Sequence, residues 1–470
     1  MKSKYGKIFF TYGLAILLSI LALLPIYSQS IDLDEAYSMQ LIKQNVVGII
    51  QGTALDVHPP LYYLILKFFS LFIGNEVVGF RLVSGLATVL NLIFLGATCI
   101  RKKFGCRVAV IYMLWFGLSY FTLDKSTFIR MYSWGCFFVT AAILFIFLYH
   151  KNKKKNEYIF AILFSLAAMY THYYAVIAVF VAWMILLIYT FIKERKNSLK
   201  VIIAGIIITV GYMPWMHILL KQTGKVAQNY WLKVFNWKEW LMSPVKLLES
   251  DAKGIGTVLI FVAIIIMLIA VIRKNYIACL SMFIVISVMV ISAILSVTVT
   301  PIWQIRYLYN VWGVFSLAVS LALCEKKDVS WIIPQAAIAV LLCGAGVLSV
   351  QSLLQSNLFN NSAEEFAIFM DTNIDDDYII VDDPQEHRVI YECYASEASI
   401  IMVEELEKKK ITDLINDDTE SDMWYIIDHY MPQMGIENVE QILSDAGYHM
   451  EHIGSFSLQF KLLDVYRIEE

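Results

Sequence analysis

Residues 255–272 read IGTVLIFVAIIIMLIAVI, eighteen positions without a charged side chain. Runs of about this length recur along most of the chain, and each is able to cross a hydrocarbon core about 30 Å thick. No other feature restricts the fold as strongly. Backbone N–H and C=O groups in hydrocarbon must be satisfied internally, which leaves helices or a closed barrel. The runs are too long for barrel strands of about ten residues and do not alternate. Composition agrees: of 470 residues, 59% are apolar and only 16% charged, whereas a soluble domain carries about a quarter charged residues. The expected fold is a polytopic α-helical membrane protein with no nucleic-acid partner. Eleven spans are expected, at 8–27, 82–100, 108–123, 131–149, 157–172, 173–192, 199–217, 254–272, 276–298, 306–324 and 331–351. The first is read as a retained span, because its apolar run is too long for a signal-peptide core.

The net charge of −3 conceals a division: residues 1–354 carry +18 and residues 355–470 carry −21. A basic transmembrane domain over 1–354 is thus expected to join an acidic domain over 355–470. In the tail, YIIV, SIIMV, MWYIID and LQFKLLDVYRI read as strands, and SAEEFAIFM and VEQILSDAGY as helices, giving a small α/β domain. DTNIDDD at 371–377 partly mimics a calcium loop, but Asp376 stands where the turn needs glycine, so a charged turn is the simpler reading. None of the seven cysteines falls in a CxxC or zinc spacing.

Lys and Arg cluster in alternate connections, RKKFGCR at 101–107, KNKKK at 151–155 and KERKNSLK at 193–200. Under the positive-inside rule these face the cytoplasm, with the amino terminus, and the carboxyl-terminal domain lies outside. That parity requires the segment PPLYYLILKFFSLFIG, within the loop 28–81, to lie in the outer leaflet rather than cross. The default location is a bacterial plasma membrane. The same parity gathers Asp34, Glu35, His58, Arg130, Tyr132, His172 and Arg306 on the outer side.

These residue types suit transfer of a sugar from a lipid-anchored phosphate. The acceptor hydroxyl must lose a proton, which a carboxylate can take. The departing phosphate needs cationic hydrogen-bond donors, and the planar fork of arginine matches its oxygens. The ordered motifs DEAYS, HPPLYYLILKFFSLFIGNEVVGFRLVSGL, IRMYSW, THYYAV, GYMPW and RYLYN resemble the family 39 glycosyltransferases across roughly residues 5–325. These are membrane enzymes of the C-type fold, akin to protein O-mannosyltransferases and lipid A aminoarabinose transferases. The resemblance implies a polyprenyl-phosphate sugar donor, an extracytoplasmic acceptor (protein, lipid or cell-wall glycan), and Asp34 as general base beside Glu35. One position departs from the pattern. Phe128 stands where many relatives carry Glu, two residues before the arginine, and Asp124 lies four residues away.

Each residue also has a structural reading. Asp34 suits a helix N-cap, Glu35 a first helical turn, and Asp32 a solvated loop. His58 precedes Pro59 and Pro60, which fix its backbone and aim its ring. Asp56 is placed to hold His58 or a metal. His172 sits in a turn between two spans, and Arg130 and Arg306 begin spans, where arginine also snorkels without a ligand. Tyr62, Tyr63, Tyr132, Tyr173 and Tyr307 fit an interfacial aromatic belt first and a lipid or sugar contact second. Asp34, Glu35 and His58 could ligate a divalent metal, but no HExxH or paired-Cys motif occurs, and the cofactor stays open. The alternative function is a lipid-linked sugar transporter or flippase. Against it, the polar groups gather at one membrane edge rather than mid-span.

Overall fold

The computed structural model describes residues 2–28, 30–74, 77–226, 235–249, 253–299, 301–324, 332–355, 361–405, 422–458 and 461–469. They form two compact units, Met1–Ile26 with Gln44–Leu353, and Tyr27–Lys43 with Leu354–Glu470. The sequence boundary at residue 354 assigns the stretch 27–43 to the membrane part. In the structure it clusters with the carboxyl-terminal residues.

The larger unit is helical. Its elements are α1 (Lys2–Ala22), α3 (Val46–Leu55), α4 (Leu61–Ile73), α5 (Val77–Leu90), α6 (Arg101–Phe104), α7 (Cys106–Gly117), α8 (Tyr120–Lys125), α9 (Tyr132–Asn152) and α10 (Lys155–Met169). They continue with α11 (Tyr173–Lys193), α12 (Arg195–Val226), α13 (Trp237–Lys246), α14 (Ile255–Ile272), α15 (Tyr276–Thr298), α16 (Trp312–Cys324) and α17 (Ile332–Leu354). Helix α2 (Leu33–Leu41) belongs to the smaller unit. Between α5 and α6 the ladder widens to i→i+5 bonds over Asn91–Ile100, so the whole stretch Val77–Phe104 is one continuous span.

Nine helices among the described residues are long and apolar enough to cross a membrane. The other two of the eleven expected segments, 108–123 and 157–172, hold helices of 12 and 15 residues. At 1.5 Å per residue these reach roughly 18 and 22 Å, short of a full crossing on their own. The first breaks at Leu118, where Ser119 caps α8 by accepting the Thr122 N–H. The second packs lengthwise against α9. Helix α4, 13 residues long, is likewise too short to span. It buries Tyr62, Tyr63 and Leu66 on one face and exposes Phe68, Leu71 and Phe72 on the other.

Two elements form the centre of this unit, α9 and the run Ile305–Cys324, in which a 3₁₀ stretch (Ile305–Val311) leads into α16. Nearly every residue of both is buried. They cross closely because each offers a glycine to the other. A Cβ on Gly135 would collide with the Asn310 amide, and one on Gly313 with the Thr140 hydroxyl. Small residues at such crossings let helix backbones approach where lipid supplies no hydrophobic drive.

The smaller unit is a five-stranded sheet in the order β2-β1-β3-β5-β4. The strands are β1 (Tyr378–Asp382), β2 (Ser399–Met402), β3 (Met423–Asp428), β4 (His449–Ser457) and β5 (Leu462–Glu469). β1 pairs in parallel with β2 and β3, with Ile380 opposite Ile401 and Tyr425, and the β3–β5 and β5–β4 pairs are antiparallel. Ile380, Tyr425, Ile427 and Ile468 pack against Val439 and Leu443 of the helix Ile436–Asp445. Helices α18 (Asn361–Asn373) and α19 (Arg388–Tyr394) complete the unit, and α2 packs on α19. The run read as one strand at 458–468 proves to be the end of a hairpin whose first arm is β4. The DTNIDDD segment ends in a clip: the Asp377 carboxylate accepts the Asp422 N–H and the Trp424 indole N–H, joining β1 to β3.

Beyond the sheet's carboxyl-terminal edge lies a buried ionic cluster. The Lys461 ammonium donates to Asp383 and, at 3.0 Å, to Asp428. Asp382 accepts the backbone N–H groups of Gln433, Met434 and Gly435.

Replacing Gly135 with Ala forces a methyl into the α9 crossing, which should lower stability by about 1–3 kcal/mol. A lower unfolding midpoint of the detergent-solubilised protein is the expected result.

Candidate active site

Four short connections of the larger unit bring side chains to one place. His58 stands between α3 and α4, its backbone restricted by the proline that follows. The Leu61 N–H donates to the Tyr170 carbonyl at 3.0 Å, tying the start of α4 to the turn that carries His172. Arg130 and Tyr132 stand at the start of α9, and Arg306 and Tyr307 in the 3₁₀ stretch. His58, Arg130, Tyr132, His172 and Tyr307 are each at most 5% exposed.

Tyr307 is the hub. Its ring centroid lies 4.8 Å from that of His172, 6.0 Å from His58, 6.2 Å from Tyr132 and 5.3 Å from Tyr174. The His58 and His172 rings are 5.6 Å apart. The Arg306 guanidinium lies over Tyr307 at 5.8 Å, and Arg130 donates from Nη1 to the Tyr63 hydroxyl at 3.0 Å. A cavity of about 330 Å³ opens here, bounded by His58, His172, Tyr174 and Tyr307 and by apolar residues of α11, α12 and α15.

The protonation of this cluster follows from its burial. His172 loses its water shell and faces the charges of Arg130 and Arg306, so its imidazole pKa falls to about 3. His58 is pushed well below its usual value by burial first, then by Arg130, His172 and Arg306. Both rings are therefore neutral at pH 7. His172 caps α11 by accepting the Tyr174 N–H at Nδ1, 3.1 Å away. The ring proton must then sit on Nε2, which is buried and has no hydrogen-bond partner among the described residues. This is a neutral donor beside two arginines.

Of the residues expected from sequence, His58, Arg130, Tyr132, His172 and Arg306 all reach this cluster. Asp34 and Glu35 belong to the smaller unit. There Asp32, expected as a solvated loop residue, is the N-cap of α2 and accepts the Asp34 N–H at 2.8 Å. Glu35 completes the capping box by accepting the Asp32 N–H at 3.2 Å, and is 1% exposed. Asp34 is left half-buried on the first turn. At the departing position, Phe128 stacks on Tyr132, and Asp124 pairs with Lys125 at 2.9 Å. Among the described residues, no group of three or more His, Cys, Asp or Glu side chains is arranged to hold a metal ion.

The tyrosines are a correction. Tyr62, Tyr63, Tyr132 and Tyr307, read as an interfacial belt, are buried inside the unit. Two of the hydroxyls make internal bonds, Tyr62 with Ser84 and Tyr63 accepting from Arg130. The central place of Tyr307 was missed; its adjacency to Arg306 was the available signal.

The fold of this chain is the C-type fold, as its likeness to the following solved structures shows. Residues 57–217, less than half of the chain, match the family described as Dolichyl-phosphate-mannose-protein mannosyltransferase. The solved structure of ArnT from Cupriavidus metallidurans in the apo state is similar at a TM-score of 0.66 and 11% identity, covering 99% of this chain and 98% of that one. The same protein bound to undecaprenyl phosphate gives 0.63 and 11%, covering 98% of each. No curated protein matches the chain in sequence.

The two histidines make stability depend on pH with a definite sign. Below about pH 6.5 the unfolded chain takes up protons that folded His172 refuses until about pH 3, so folding is weakened as pH falls through that window. The unfolding midpoint should drop between pH 7 and pH 5, and His172→Gln should make that drop smaller.

Proposed function

We propose that the protein is a glycosyltransferase that moves a sugar from a polyprenyl-phosphate carrier to an acceptor outside the cytoplasm. What supports this most is the cluster itself: two neutral histidines on the wall of a cavity, with the charges of Arg130 and Arg306 close enough to act on both rings. Planar guanidinium donors beside neutral imidazoles suit the oxygens of a lipid phosphate held at the membrane edge. The family match and the fold shared with ArnT, solved with undecaprenyl phosphate bound, support the same reading.

In the proposed reaction the acceptor oxygen attacks the anomeric carbon and its proton passes to Asp34. The bond between that carbon and the phosphate oxygen breaks, and polyprenyl phosphate leaves with the electron pair. Arg130 and Arg306 face the phosphate oxygens, where planar guanidinium donors are strongest. His172 donates its Nε2–H, and His58 and Tyr132 shape the same wall. Asp34 is assigned as base on motif order, with Glu35 holding the start of its helix. The amino terminus is placed in the cytoplasm and the smaller unit outside, following the basic connections.

Purified protein supplied with a polyprenyl-phosphate sugar and an acceptor should release polyprenyl phosphate. Asp34→Asn should lower turnover at least about 100-fold while donor binding persists; undiminished turnover in that variant would remove Asp34 from the chemistry. Movement of intact donor across vesicles without release would instead favour transport.

A further inference from the structure

Helix α12 carries Gln222 to the rim of the cavity, where it is 4% exposed. Both ends of its side-chain amide are bonded to the protein. The amide nitrogen donates to the carbonyls of Thr53 at 2.8 Å, Ala54 at 3.2 Å and Asp56. The amide oxygen accepts the Tyr173 hydroxyl, which in turn accepts the Trp215 indole N–H at 3.0 Å. Thr53 and Ala54 belong to the last turn of α3 and Asp56 is its C-cap. Helix ends leave carbonyls without intrahelical partners, and here one distant side chain gathers three of them.

Two residues after Asp56 comes His58, and three after that Leu61 is tied to the Tyr170 carbonyl. The segment carrying His58 is thus fastened at both ends, by Gln222 before it and by the α10–α11 turn after it. The prolines stiffen what lies between. We infer that Gln222 is a positioning residue: it fixes the end of α3 so that the His58 imidazole faces the cavity beside His172 and Tyr307. Resting on the function proposed above, this makes Gln222 a determinant of lipid-phosphate binding that acts through His58. The Tyr173 hydroxyl holds its amide in the orientation that presents nitrogen to the three carbonyls.

The test combines backbone exchange with a double-mutant cycle, using the full chain in detergent and undecaprenyl phosphate as probe. In Gln222→Met, amides at 57–58 should exchange at least about tenfold faster, with those of α9 unchanged. Affinity for undecaprenyl phosphate should fall about as far as in His58→Ala, and the Gln222→Met, His58→Ala double variant should be no weaker than His58→Ala alone, since the two act as one unit. Tyr173→Phe, which keeps the ring and frees the amide oxygen, should give a smaller change in the same direction and serves if Gln222→Met does not fold. Unchanged exchange at 57–58, or losses that add in the double variant, would overturn the role given to Gln222. Failure of the unaltered protein to bind undecaprenyl phosphate would sink the proposed function, while the exchange measurement would still decide the positioning.

Discussion

The structure depends on how closely α9 and the Ile305–Cys324 run approach. Gly135 and Gly313 permit the approach, and Asn310 fills the space that Gly135 leaves. The Asn310 amide also donates to the Tyr307 carbonyl at 2.8 Å, so the crossing and the 3₁₀ stretch are one device. One helical turn before Gly135 stand Arg130 and Tyr132, and three or four residues before Asn310 stand Tyr307 and Arg306. The separation of the two arginine-bearing segments is therefore set by glycine backbones against the buried side chains of Asn310 and Thr140. Contacts packed at this density deform little, which suits a site whose charges must stay aimed.

Much of the cluster was legible in sequence because its chemistry is carried by residue types that rarely occur at a membrane edge. His58 before two prolines, and arginines opening two apolar runs, stand out against their surroundings. The tyrosines do not. A tyrosine beside an apolar run has the same signature whether it points to headgroups or into the bundle, and only packing shows that Tyr63 and Tyr307 turn inward. Gln222 was not legible at all. Its partners are backbone carbonyls 166 to 169 residues earlier in the chain, and carbonyls carry no sequence signal.

The fold shows the same division. Apolar runs expose long spans directly, but length alone separates a full crossing from the shorter α7 and α10, and breaks such as Leu118–Ser119 leave hydropathy almost unchanged. In the smaller unit, β1, β2 and β3 are short apolar runs and were readable. β4 is an edge strand with largely exposed side chains and a register shift between His452 and Gly454. Half-exposed, polar and bulged, it lacks the alternation by which strands are recognised.

The placement of residues 27–43 has a consequence for how the chain is made. The Ile31 N–H donates to the Tyr394 hydroxyl, 363 residues further along, and α2 packs on α19, so an early segment joins a unit made mostly of residues much later in the chain. At about 5–20 residues per second, the ribosome needs roughly 20–70 s to deliver that partner. Throughout that interval the motif bearing Asp34 lacks its final packing.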